Sequence, residues 1–300
     1  MEHAAGHAPE EAVAPEAAAP AVAPAFSPLA ALDPAARVGP AGRAAALRPL
    51  QAAGNRSLAR AVLARQAVMT ASGTRYTYDR SNFNQRYDAE VDPRGTITVI
   101  CRVKFVVDKD MFKAEGYSEA DMERERKEFA AAFPGVINAA WSYKRAVKPD
   151  WRGVMQCVAR AVPVESGEHA TITLAYPKTG FRSYVDTRSE GQTGPTTGRF
   201  ETDDLRSEKA TWMVNTAQQF DFQHVVAAHE FGHMIGIEHI DKAGHEGDAE
   251  YGDTWEEAND IMGWGMTVTA HDMKPWIAAG KAYGRETGMP DGGTWTVVDP

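Results

Sequence analysis

HEFGHMIGIEH, residues 229–239, sets three histidines at positions i, i+4 and i+10, with Glu230 directly after the first and Gly236 between the second and third. With nine histidines in 300 residues, a chance match at all five positions is remote. Residues four apart on a helix stand one turn above each other on the same face, so His229 and His233 can aim both imidazoles at one point. A third ligand has to arrive from another direction. Glycine enters the left-handed conformation without steric cost, so Gly236 can end the helix and swing His239 round to the same point. Neutral imidazole nitrogens in that number suit Zn²⁺, which favours four-coordinate sites and, with three protein ligands, keeps one position open for water. Glu230 lies off the ligand stripe and reads as a base: its carboxylate can take a proton from a water at that ion and pass it to a departing group. A structural zinc site, by contrast, is usually closed by four protein ligands, commonly with cysteine.

The remainder of the chain bounds what such a site could belong to. There are 32 basic and 41 acidic residues, a formal charge of -9, which argues against the cationic face that nucleic acid selects. No apolar run approaches the roughly 18 residues of a membrane-spanning helix. Cys101 and Cys157 allow one bridge at most, and both fall in strand-like stretches where the simpler reading is a buried small apolar residue. Residues 1–43 are rich in Ala and Pro, with one Phe and no Trp or Tyr, and predict a disordered tail. The first twenty residues lack the basic and apolar regions of a classical signal peptide. In residues 44–72, Leu58, Val62 and Leu63 recur at helical spacing among Arg56, Arg60 and Arg65, which predicts short amphipathic helices. Aromatic residues rise from Tyr76, so the folded domain is drawn as 73–300.

Within that domain, Thr96–Asp108 is rich in β-branched residues and predicts a strand. Ser118 and Asp121 form a capping-box pattern opening a helix that carries Met122, Phe129 and Phe133, and Pro134 with Gly135 is expected to kink or break it before Ile137 and Trp141. Further strands are expected at Val154–Val164, Ala170–Ala175 and Ala210–Val214. A helix is expected over Phe220–Ile235, a loop over Asp241–Asp260, and a last helix over Thr269–Ala279 with Pro275 as its weak point. No internal repeat is visible. Asp241, Glu246, Asp248, Glu250, Asp253, Glu256 and Glu257 could offer oxygen to Ca²⁺, but they lack EF-hand spacing and read as a solvated loop. His224, His245 and His271 read as surface or core residues outside the site.

His229, Glu230, His233, Gly236 and His239 together match HExxHxxGxxH, the signature of the metzincin clan of zinc endopeptidases. The chain resembles that clan again at NDIMGWG, where Met262 stands 23 residues after His239 in the place of the clan's Met-turn methionine. The resemblance implies an α+β fold with a mixed twisted sheet, an active-site helix and a C-terminal helix. It implies Zn²⁺ on His229, His233 and His239, Glu230 as general base and acid, and Met262 supporting the metal site from below without ligating. It further implies a polypeptide substrate that pairs in extended form with an edge strand. There are departures. Trp264 stands where astacins and serralysins place a tyrosine, so no fifth ligand is expected there; Ile240 carries no subfamily mark; and no cysteine precedes Cys101, which excludes a cysteine-switch latch in the tail. A hydrolase of a non-peptide substrate and a non-catalytic effector with a structural zinc remain open beside this reading. Separately, LQAAGNRSLARAVLARQ, residues 50–66, resembles AGNR-containing segments of proteins associated with bacterial extracellular contractile injection systems. That resemblance implies synthesis in the bacterial cytoplasm and packaging as toxin cargo through residues 44–72; a plain amphipathic linker is the other reading.

Overall fold

The computed structural model describes residues 68–70, 73–177, 182–186, 194–215, 218–240, 251 and 254–300. The expectations for residues 1–67, and for His245 and most of the acidic run, lie outside the described residues. The first described residues form strand β1 (Val68–Thr70), paired antiparallel with β2 (Gly73–Tyr78). The sheet therefore begins inside the stretch expected to be helical, and two of the three residues in β1 are β-branched types that favour extended backbone.

The molecule is α+β with a mixed sheet and few helices. Besides β1 and β2, the ten-stranded sheet contains β3 (Asp88–Asp92), β4 (Thr96–Val107), β5 (Ala146–Pro149), β6 (Met155–Pro163), β7 (Ala170–Ala175), β8 (Tyr184–Val185), β9 (Thr196–Glu201) and β12 (Trp295–Val298). Strands β10 (Glu208–Asn215) and β11 (Gln218–His224) form a separate hairpin. The spine is β4. Its alternating Ile97, Val99, Cys101, Val103 and Phe105 are all buried, as a strand covered on one face requires. Residues Thr96–Ile100 pair antiparallel with β3, Thr96–Val103 parallel with β6, and Val103–Val107 parallel with β7. Strand β9 extends the parallel part from β7, and β8 lies antiparallel on β9.

Five helices are described: α1 (Lys109–Ala114), α2 (Glu119–Trp141), α3 (Val226–Met234), α4 (Trp255–Ala258) and α5 (Lys274–Glu286). Helix α2 opens with the capping box of Ser118 and Asp121 and runs unbroken through Pro134, against the expected kink. Proline removes the bond to the Ala130 carbonyl, but Met122, Phe129, Phe133, Ile137 and Trp141 continue one buried stripe across it. Packing holds the turn: Phe129 and Phe133 lie 5.3 and 5.2 Å, ring to ring, from Phe105 of β4.

Three other expectations are corrected. The helix expected over Phe220–Ile235 is two elements, because Phe220 to His224 alternates apolar and polar residues with the period of a strand, and α3 starts only at Val226. The loop expected over Asp241–Asp260 contains α4, where Thr254 and Glu257 close a second capping box. Pro275 does not weaken the last helix but stands in the first turn of α5, where its missing N–H would have had no partner and its fixed φ suits the helix. Cys101 and Cys157 are both free and buried. Among the described residues no helix is long and apolar enough to cross a membrane.

Candidate metal centre

The core stations α3. Phe231 packs at 6.5 Å from Phe133 and 6.1 Å from Trp141, and Trp141 Nε1–H donates to the Ala228 carbonyl at 2.9 Å. The helix ends at Met234, and Gly236 takes φ 90°, in the region that glycine enters freely. Its N–H reaches the His233 carbonyl at 3.0 Å and that of Ile237 reaches Gly232 at 2.9 Å, so the last carbonyls of the helix are satisfied as the chain turns back. The turn delivers His239. Its Nε2 lies 3.2 Å from Nε2 of His229 and 3.0 Å from Nε2 of His233. Among the described residues, these three form the one group of metal-capable side chains whose donor atoms all fall within 4.8 Å of each other.

Backbone carbonyls orient two of the rings. His229 Nδ1 faces the Ile261 carbonyl at 2.9 Å and His233 Nδ1 faces the Ile237 carbonyl at 2.8 Å. A carbonyl only accepts, so both Nδ1 atoms carry the proton and both Nε2 lone pairs point to the shared gap. Nitrogen ligands about 2.0–2.1 Å from a tetrahedral ion stand about 3.3 Å apart, close to the spacing of the Nε2 atoms. The donor set therefore fits a divalent ion that accepts imidazole nitrogen. Burial lowers the pKa of all three rings, His229 furthest and His233 and His239 to about 4.

Glu230 is buried, with Oε2 lacking any hydrogen-bond partner. Burial first, and then the charge of Asp204, raises its pKa to about 8, against the opposing pull of Arg182 and the Val185 backbone. Met262 lies beneath the helix: a Cβ on Gly232 would fall well inside contact distance of its sulfur. The Met262 N–H donates to Asp260 Oδ1 at 2.7 Å, so the turn that carries the methionine also presents the Ile261 carbonyl to His229.

Four neighbours of the site have no signal in the sequence. Tyr251, inside the acidic run, brings its ring to 4.6 Å from His239 and 5.8 Å from His229, and the Arg182 guanidinium covers that ring at 5.0 Å. Asp204 and Ser183 are buried and bonded to each other, Ser183 Oγ to Asp204 Oδ2 at 2.6 Å. Burial raises the Asp204 carboxyl to about 7. All four line a cavity of about 450 Å³ that also reaches His229 and Glu230. Of the histidines set aside, His224 is buried 5.5 Å from His229, ring to ring, while His271 Nε2 donates to the Glu238 carbonyl at 3.1 Å and so steadies the segment before His239. The chain matches no protein-family model and no curated protein.

Proposed function

We propose that this chain is a zinc-dependent endopeptidase of metzincin type, with His229, His233 and His239 as the zinc ligands and Glu230 as the proton carrier. The observation that carries the reading is the convergence of three Nε2 atoms beside a buried carboxyl with an unpartnered oxygen. Zinc, when bound, supplies a Lewis acid for the substrate carbonyl and brings the pKa of a water down to about 7. Glu230 Oε2 accepts the proton of the attacking water and delivers it to the departing amine. Burial keeps bulk water from competing for that oxygen. Strand β8 pairs with β9 along one side, and the backbone of Val185 within it touches Glu230. Its other side offers backbone groups on which an extended peptide can add as a strand, laying the scissile bond across the histidines. Carriage by a contractile injection particle is a separate proposal, and it rests on the resemblance of residues 50–66 alone.

Glu230→Gln is the discriminating variant. Zinc content and thermal stability are expected to stay unchanged while cleavage of unfolded protein substrates falls by about 10²- to 10⁴-fold. Unaltered turnover would overturn the mechanism. His239→Ala is expected to lower bound zinc well below one equivalent; full retention would remove His239 from the ligand set. Zinc held at full stoichiometry without cleavage of any of a panel of unrelated proteins would defeat peptide hydrolysis as the activity.

A further inference from the structure

We infer that the cavity beside Glu230 binds a cationic side chain of the substrate, lysine or arginine, and that Asp204 selects it; the inference rests on the endopeptidase reading and names its substrate class. Besides Glu230, four carboxyls, Glu201, Asp203, Asp204 and Glu208, line the cavity against two guanidiniums, Arg182 and Arg206. Both arginines are exposed, and Arg182 lies over the Tyr251 ring. Asp204 is different: it is 8% exposed, so its charge acts in a medium where water screens it least. Ser183 Oγ and the Glu201 N–H both donate to its Oδ2, at 2.6 and 2.8 Å. Among the described residues no cation stands within ion-pair distance of it. A buried carboxyl held by neutral donors alone is costly to charge, and an incoming ammonium or guanidinium supplies the missing partner.

The dimensions agree. About 450 Å³ lies within the roughly 300–1,000 Å³ of small-ligand pockets and accommodates one long side chain. Val226 and Trp264 give the aliphatic stem apolar surface while the charged end meets Asp204. Because His229 and Glu230 border the same space, a residue seated there has its backbone beside the reacting groups.

The test separates binding from turnover. Nα-acetyl amides of lysine, norleucine and glutamate are titrated against the full-length, zinc-loaded protein and against its Asp204→Asn variant, which keeps an oxygen for the Ser183 and Glu201 donors. A peptide series varied at single positions is profiled in parallel. The lysine probe is expected to bind about tenfold more tightly than norleucine, with glutamate weakest, and the variant is expected to bring the lysine-to-norleucine ratio near unity. Equal affinities, a preference for glutamate, or an unchanged ratio in the variant would each overturn the inference. If the variant fails to fold, the ranking of the three probes on the wild-type protein decides alone. Lysine preference with no peptide cleaved keeps this inference and removes the endopeptidase reading; cleavage without charge preference does the reverse.

Discussion

Gly232 shows where residue-level reading of the motif ends. The spacing of His229, His233 and His239 tells which side chains share a point, because the helix period that pairs the first two and the glycine turn that returns the third are both local. It says nothing of what lies beneath. Met262 fills that place, so the glycine is a packing requirement imposed by a residue 30 positions away. Gly232→Ala is expected to cost about 1–3 kcal/mol, the usual range for overpacking, and Met262→Ala about 2–5 kcal/mol for the cavity it leaves. Together they should cost less than their sum, since the added methyl occupies part of the space that the methionine vacates. Urea denaturation of the four proteins measures the coupling, and strict additivity would mean that the two residues do not meet. Tyr251 and Asp204 escape sequence reading for a related reason: each comes to the cavity beside the three histidines from a segment whose own pattern has no period, so only the tertiary fold reveals its neighbours.

At the scale of elements, strong local signals were readable and competing ones were not. The capping box of Ser118 and the buried alternation of β4 belong to single elements; whether Pro134 breaks α2 depends on what its flanks touch. Restoring the missing N–H by Pro134→Ala is expected to stabilise the protein by up to about 3 kcal/mol, read as a higher urea midpoint; a loss would mean that the proline is required by packing. A second device joins the Met262 turn to the start of α5. Asp260 and Asp272 are both fully buried, and Asp260 Oδ2 and Asp272 Oδ1 have no donor. Carboxylates only accept, so a proton on one of them is what makes the two partners. Burial, and next the charge of Asp260, raise Asp272 to about 8; burial also raises Asp260. A pKa raised in the folded state means that the native protein holds the proton more tightly. The contribution to stability is then complete below the ordinary carboxylate range and is lost as pH climbs from about 4 to about 8. Asp272→Asn keeps a donor that cannot titrate. The difference in urea midpoint between wild type and variant should therefore shift in the variant's favour across that interval, and a constant difference would show that the pair does not share a proton.

For the whole molecule, the class and the approximate place of the site could be read from the chain, whereas the strand order could not. Parallel pairing of β4 with β6 and β7 is set by contacts far apart in sequence, and β8 is two residues long, too short for any periodicity to mark it. The lower boundary is a further case. The rise of aromatic residues at Tyr76 marks where the core begins, but β1 covers the outer edge of β2 and begins at Val68. A chain starting at residue 68 is therefore expected to keep the melting temperature and the proposed zinc site of the full-length protein, whereas one starting at residue 76 loses β1 and the first half of β2. That leaves β3 with an incomplete neighbour and an exposed edge open to aggregation. Each kcal/mol lost should lower the melting temperature by about 2–4 °C in a domain of this size. The same pair of truncations tests delivery. If residues 50–66 address the protein to an injection particle, the chain starting at 68 should cleave substrates as the full-length protein does and yet be missing from purified particles. Its presence there at full-length levels would show that the packaging signal lies within the folded domain.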